Sequence, residues 1–480
     1  MRISIENIGQ IEKADITVDG ITVIAGENNT GKSTIGRTLF AMLKGMNTWK
    51  EQYFQICSGK IKAVLEQESN RLEEFCLENT AAARRRSSRA RELLNDFCND
   101  ENFVADVEDF QISESWEDER KRQTDSQVKE DLRGYCERYL ALYQRGRAEE
   151  LLQKNKEFIS DWIVGVLQKL KNIELDEVEL QAKQLRESFS SYFRDQYIRE
   201  GSDWGKVTFT DDEKTIWLDI TELEARLSAP VRINYGIYFI ESPKIFDEIG
   251  LYRQFFFASA KEDMRAIMVP NTLGRAWKRV PVIKGSLGRN LLEASSVVEE
   301  IPKEAAEVLE MLQAAMQGQA EYYAKEGIKF REEGMKTSFY PQNVSTGVKA
   351  MAVLEYAVRT GALRKNDVLV LDEPEINLHP EWQIVYARTL VLLQKTYQLK
   401  ILITTHSPYF LRAIECFSDL YGVMDLLNVY SVSRNSERKH IIEDVMQSEY
   451  GMSGLYEKLS APFDQLQEEI DRKYGTDREE

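Results

Sequence analysis

The sequence predicts an α/β fold: a parallel sheet assembled from the two ends of the chain, with a large helical segment inserted between them. Three observations point that way. The chain opens with three strand-like pieces, a glycine-bearing loop and an apolar helix. From about residue 48 to 200 glycine is sparse, charged and apolar residues alternate at helical spacing, and no proline occurs before Pro230. Residues 343–410 then read as helix, buried strand, helix, buried strand, the alternation of a parallel sheet.

The first strands are placed by Ile3 and Ile5, by Ile11 with Ile16–Val18, and by Ile21–Ile24, separated by Asn7, Gly9, Asp19 and Gly20. The following helix runs through Leu39, Phe40 and Leu43. In the insertion, Phe158, Trp162, Val166 and Leu170 recur every four residues, flanked by Ile159, Ile163 and Leu167. That stripe is wider than a two-residue seam and predicts a helical bundle or thick arm. Strand texture returns at Val207–Phe209, Thr215–Leu218 and Tyr235–Ile240, and residues 285–316 read as helical. Ala320–Tyr323 and Ile328–Phe330 read as a hairpin. Val429–Val432 and Ile441–Val445 form a further strand pair, followed by a helix through Leu466 and Ile470. The expected division is 1–47, the first part of a head; 48–200, the helical arm; 201–340, a β lobe with a helical subdomain; 341–450, the second part of the head; and 451–480, a terminal helix.

Composition narrows the class. A chain of 480 residues is too long for one ordinary core. With 42% hydrophobic and 30% charged residues and no apolar run approaching the ~20 needed to span a bilayer, a soluble protein is expected. Met1-Arg2 leads straight into a strand, so no signal peptide is expected. Cys57, Cys76, Cys98, Cys136 and Cys416 form no C-x-x-C pair, which argues against disulfides and zinc and fits the reducing cytoplasm. A net charge of −17 opposes general adhesion to nucleic acid or anionic membrane, although a local basic patch could still bind either.

Four motifs carry chemistry. Gly26-Glu27-Asn28-Asn29-Thr30-Gly31-Lys32-Ser33, followed by Thr34, matches G-x-x-x-x-G-K-[ST] between a strand and a helix. Its glycines let backbone N–H groups close around phosphate, Lys32 reaches the β- and γ-phosphates, and the Ser33 hydroxyl suits Mg²⁺. Val368–Leu371 reads as a strand buried on both faces, ending in Asp372-Glu373. There Asp372 would hold Mg²⁺ and Glu373 would orient or deprotonate water. Lys400–Thr405 is a second such strand ending in His406, placed for a γ-phosphate contact. Ser345-Thr346-Gly347 opens an apolar helix; taken locally, Ser345 is a helix cap.

In this order and spacing the motifs resemble the ABC-type ATPase superfamily, and within it the soluble OLD-like and SMC-like ATPases of the AAA-domain kind. Residues 1–45 and 340–410 carry the resemblance. It implies an ABC-type head, with a phosphate-loop parallel sheet and an antiparallel β lobe. It also implies head-to-head dimers, or higher even-numbered assemblies, with ATP held between Gly26–Thr34 of one copy and Ser345, Thr346 and Gly347 of another. Asp372 and Ser33 would hold Mg²⁺, and Glu373, with His406 and Lys32, would act in catalysis. Asn377 and His379 would form the D-loop. The resemblance would put the Q-loop at the strand end Ile240-Glu241-Ser242, where this chain has no glutamine, so the Q-loop residue is left unassigned.

The biological role is less specific. No room for a nuclease domain is expected after His406, so the first expectation is a regulatory ATPase of a bacterial anti-phage defence system, holding a separate protein effector. An SMC-like ATPase that binds DNA is the alternative. Arg84-Arg85-Arg86, Arg89 and Arg91 read first as a solvated helix face, and Ser190–Phe193 with Tyr197 as packing.

Overall fold

The computed structural model describes residues 1–77, 87–100, 102–104, 107, 118–143, 156–173, 176–212, 214–231, 233, 235–241, 303–323, 327–434 and 440–474. Residues 84–86 of the arginine stretch, Ser242 and the predicted helical residues 285–302 lie outside them. The chain divides into two compact units, Met1–Asn47 with Gln181–Glu480, and Thr48–Leu180.

In the first unit, β1 (Arg2–Ile8) and β2 (Ile11–Thr17) form a hairpin, and β3 (Ile21–Gly26) runs into α1 (Lys32–Leu77). After the insertion come α5 (Glu177–Phe193), β4 (Gly205–Asp211), β5 (Lys214–Ile220), β6 (Ala225–Leu227) and β7 (Ile237–Ile240). Then follow α6 (Lys303–Met316), the hairpin β8 (Gly318–Tyr323) and β9 (Gly327–Glu332), and α7 (Thr346–Arg359). The last part holds β10 (Val368–Asp372), α8 (Pro380–Tyr397), β11 (Lys400–Thr405), α9 (Pro408–Leu420), β12 (Leu427–Arg434), β13 (His440–Asp444) and α10 (Gly451–Tyr474).

Two sheets organise this unit. The larger has the order β13-β12-β3-β11-β10-β7, parallel throughout except for β13. Its central strands are continuous apolar runs because helices cover both faces. Ile21, Val23, Leu369, Leu371, Ile401 and Ile403 face the core built with α6 to α9. On the opposite face α1 packs so closely that a Cβ on Gly36 would stand 3.2 Å from a Val370 methyl, and Phe40 stacks on Phe239 with ring centroids 5.3 Å apart.

The smaller sheet is antiparallel, in the order β2-β1-β4-β5-β6, with Arg2 opposite both Thr17 and Thr210. Residues before and after the insertion therefore complete the same two sheets. The β lobe is not the contiguous 201–340 segment read from the sequence: it takes β1 and β2 from the N-terminus, while β7 joins the parallel sheet beside β10. The boundary of the insertion also differs from the sequence reading, because residues 181–200 belong to this unit. Leu185 packs against Gly45 of α1, the Ser188 hydroxyl donates to the Ala41 carbonyl at 2.7 Å, and the Gln181 amide donates to the Val231 carbonyl at 2.6 Å. Helical periodicity cannot mark such an edge, because α5 continues the texture of the insertion while its contacts lie elsewhere.

The second unit is helical: the later part of α1, α2 (Ser87–Cys98), α3 (Asp118–Tyr143) and α4 (Lys156–Lys171) surround one core. Trp162, Val166 and Leu170 are buried together with Ile61, Leu65, Leu132 and Tyr135, so the wide stripe serves a bundle. The Trp162 indole N–H donates to the Glu68 carbonyl at 2.9 Å, and Lys169 meets the buried Glu68 carboxylate at 2.6 Å. Among the described residues, no helix is long and apolar enough to cross a membrane.

Candidate functional site

The site forms where the C-terminal ends of β3, β10 and β11 lie side by side. Ile24 pairs with Thr404 and Asp372 with Thr404, so the phosphate loop, the carboxylate pair and the histidine strand are neighbours by register. This is the strand edge where open α/β sheets bind ligands.

The loop's backbone requires its glycines. Gly31 has φ +91°, and a Cβ there would stand 2.6 Å from the Ile11 side chain; a Cβ on Gly26 would meet the Val432 carbonyl at 2.1 Å. Asn29 also lies in the left-handed region, at φ +61°. The Thr30 hydroxyl ties the loop by donating to the Glu27 carbonyl at 2.8 Å. Glu27, Asn28 and Asn29 are exposed, whereas Gly26, Thr30, Gly31 and Lys32 are buried.

Lys32 folds back into this loop. Its ammonium donates to the carbonyls of Gly26 at 2.9 Å and Glu27 at 2.6 Å and stands 3.5 Å from Glu373 Oε1. Burial lowers its pKa, and the nearby Glu373 opposes that shift. One residue on, the Ser33 hydroxyl donates to Asp372 Oδ1 at 2.9 Å, and the Thr404 hydroxyl donates to the same oxygen at 2.5 Å. Burial raises the Asp372 pKa against those two hydrogen bonds and the nearby Arg37. Thr404 also accepts the Glu373 N–H at 3.0 Å, which helps to hold Glu373 at φ +46°. Side-chain residues in this left-handed region are uncommon and carry strain of about 1 kcal/mol.

His406 leaves the end of β11 with Nδ1 3.5 Å from Glu373 Oε1 and 3.7 Å from Glu375 Oε1. Glu375 is buried and was not singled out by sequence reasoning, nor were Thr404 and Arg37. Arg37, one turn after Ser33 on α1, pairs with Glu241 at the end of β7. The strand end expected to hold the Q-loop therefore carries a carboxylate, Glu241, in an ion pair.

The remaining predicted residues form a separate cluster. Ser345 caps α7, accepting the Val348 N–H at 3.4 Å. A Cβ on Gly347 would stand 2.9 Å from the Trp382 ring and 3.3 Å from the Asn377 carbonyl, so the helix start packs on the turn that carries Asn377, itself at φ +66°. His379 caps α8 through its backbone, with an exposed side chain 3.8 Å from Glu381. Among the described residues, no hydrogen bond or ion pair joins Ser345, Thr346 or Gly347 to the phosphate loop.

A cleft of about 1460 Å³ opens beside the loop, lined by Gly9, Gln10, Thr34, Arg37, Tyr192 and Glu241 among others. Of Ser190–Phe193 and Tyr197 the three rings pack, with Tyr192 meeting Phe40 edge-on at 5.0 Å, Phe193 stacking on Phe189 and the Tyr197 hydroxyl donating to the Thr221 carbonyl, while Ser190, Ser191 and one side of Tyr192 and Phe193 line the cleft.

A family model described as "AAA domain, putative AbiEii toxin, Type IV TA system" matches residues 139–412. No curated relative matches the sequence. Among solved structures, the chain is similar to the SMC head domain from Thermotoga maritima, at 10% identity and TM-score 0.35, covering 92% of this chain and 97% of that one. It is also similar to an Smc head with an extended coiled coil bound to the C-terminal domain of ScpA, derived from Pyrococcus furiosus, at 11% identity and TM-score 0.37, covering 93% and 96%. Likeness at that level leaves the fold to be read from the strand order given above.

Proposed function

The chain belongs to the AAA-domain family whose model spans residues 139–412, and on that premise we infer that it is a Mg²⁺-dependent ATPase acting as a conformational switch. The observation that carries this reading is the convergence of Lys32, Ser33, Asp372, Glu373 and His406, drawn from three neighbouring strand ends.

The residues fit the groups they would take. Gly26 and Gly31 leave the backbone curved where a side chain would collide, as a phosphate cradle needs. The Ser33 hydroxyl and the Asp372 carboxylate already face one another, and this hydroxyl-plus-carboxylate donor set suits Mg²⁺. When bound, Mg²⁺ neutralises charge building on the terminal phosphate.

The chain's own residues account for the rest. Lys32 turns from its loop carbonyls to the phosphates, which also takes it away from Glu373. Glu373 is then free to accept a proton from the attacking water, and His406 stands next to it for the terminal phosphate. Ser345, Thr346 and Gly347 act in trans: a helix start capped and exposed at Ser345 offers N–H donors to phosphate on a second copy. Each nucleotide then needs both copies, so binding closes a homodimer and hydrolysis reopens it.

The role that fits this switch is a regulatory ATPase of a bacterial anti-phage defence system, controlling a separate toxin or nuclease. The family's description, which names a toxin of a type IV TA system, and the net charge of −17 support it over a DNA-binding reading. The test is capture of the tagged Glu373→Gln protein from its host with ATP and Mg²⁺. One stoichiometric protein partner free of nucleic acid is expected; abundant DNA without such a partner would replace this role with an SMC-like one.

A further inference from the structure

Glu375 lies two residues beyond Glu373 and is 3% exposed, an unusual position for a carboxylate without a cation beside it. Two donors hold its Oε1, both from the strand that delivers the histidine: the Thr405 hydroxyl, and the His406 backbone N–H at 3.2 Å. Its Oε2 is buried with no hydrogen-bond partner, and so is Nδ1 of His406. Nδ1 lies 3.7 Å from Glu375 Oε1, just beyond hydrogen-bond reach, so the unpartnered imidazole nitrogen stands beside a carboxylate that still has an unpartnered oxygen. A buried polar atom left without a partner costs free energy, which makes an inert structural role an expensive use of this carboxylate.

We propose that Glu375 is the positioning residue of His406: it fixes the histidine's backbone through Oε1 and shares one proton with the imidazole Nδ1, so that Nε2 keeps its own hydrogen for a phosphate oxygen. The arrangement needs two protons on the pair; with only one, on Nδ1 beside an ionised carboxylate, Nε2 would be a bare acceptor. If the carboxylate is ionised, Nδ1 carries the shared proton and the ring is an imidazolium. If the carboxyl is protonated, it donates to Nδ1 and the ring is neutral. In both cases Nε2 is an N–H donor. Burial pushes the Glu375 pKa upward, which brings the two arrangements closer in energy. Glu373 Oε1, at 3.5 Å from the same Nδ1 and so slightly nearer than Glu375 Oε1, competes for it until Glu373 turns to the attacking water.

The inference rests on the ATPase reading for its consequence but on side-chain geometry for its premise, so two measurements separate them. The first compares hydrolysis by the unmodified protein, Glu375→Gln, His406→Gln and the double variant. The amide can still accept from Thr405 and from the His406 N–H and can donate an N–H to Nδ1, but it cannot take up or release the shared proton, so the imidazolium arrangement is lost. Glu375→Gln is expected to lower kcat by roughly tenfold with KM changed by less than about twofold. In the His406→Gln background it is expected to cost nothing further, because a residue acting through His406 cannot be lost twice. Glu375→Asp, which keeps the carboxyl, is expected to recover part of the rate. Equal losses in both backgrounds, or no loss at all, would overturn the proposal. The second measurement is imidazole ¹⁵N NMR of the protein, whose three histidines are resolvable. The His406 ring signals are expected to move in Glu375→Gln while those of His379 and His440 stay in place. Unmoved His406 signals would overturn the proposal whether or not the protein hydrolyses ATP, whereas moved signals without hydrolysis would leave it standing and sink the ATPase reading.

Discussion

Ser33 Oγ donates to Asp372 Oδ1 at 2.9 Å, joining two residues 339 positions apart in sequence. The bond spans the first turn of α1 and the end of β10, and Thr404 donates to the same carboxylate oxygen from β11. Three elements thus meet on one oxygen.

Thr404→Val removes one of the two hydroxyls on Asp372 while the Glu373 N–H keeps its bond to the Thr404 carbonyl at 3.0 Å. The fold should lose only about 1 kcal/mol. Nucleotide affinity in Mg²⁺ is expected to weaken several-fold with little change in EDTA. A titration showing identical Mg²⁺ dependence would take Thr404 out of the site.

Lys32→Ala is expected to abolish ATP binding without lowering thermal stability. The ammonium is desolvated and held by carbonyls, so its removal relieves burial as much as it forfeits hydrogen bonds. Equilibrium binding of a fluorescent ATP analogue checks this; affinity within threefold of the unmodified protein would contradict it.

Glu373→Gln is expected to bind ATP and reduce turnover by at least roughly a hundredfold, the range of a lost general base. The closed homodimer should then accumulate, visible by light scattering in ATP and Mg²⁺. Unchanged turnover would remove Glu373 as the base.

Asp367 gives a prediction about stability. Its two oxygens accept the Gly236 N–H at 2.6 Å and the Arg364 N–H at 2.8 Å, tying β7 to the entry of β10. Asp367→Asn keeps only one acceptor and should cost about 1–3 kcal/mol in urea unfolding. Burial raises the Asp367 pKa in the folded state, against the two backbone bonds. The folded state therefore binds more protons than the unfolded one between the ordinary Asp value and the raised value. This group's contribution is fully present below the ordinary value and is lost as pH rises through the raised one. The deficit of the Asn variant should accordingly be larger in acid than at neutral pH; a deficit that grows with pH would refute the assignment.

Much of the site could be read from local sequence. Gly26–Ser33 has few alternatives between a strand and a helix, and Val368–Leu371 and Ile401–Ile403 are apolar runs that only a sheet covered on both faces explains. Glu375 was legible only as one more acid in a turn of acids, since nothing in its spacing separates a buried carboxylate from an exposed one. Its signal was the neighbouring Thr405-His406, which have meaning only once β11 lies against β10. Arg37 looked like any helix-surface cation until Glu241 was placed beside it.

The sequence by itself determined what depends on a few adjacent residues: a loop that only glycines can curve, strands marked by unbroken apolar runs, and a helix start capped by Ser345. Tertiary structure alone decided which of these meet. Strand β3 lies between β11 and β12, and the α5 segment 181–193 leaves the insertion's texture to buttress α1. Those choices come from burying both faces of one sheet and satisfying its backbone hydrogen bonds across the whole chain, a condition that no local window of sequence contains.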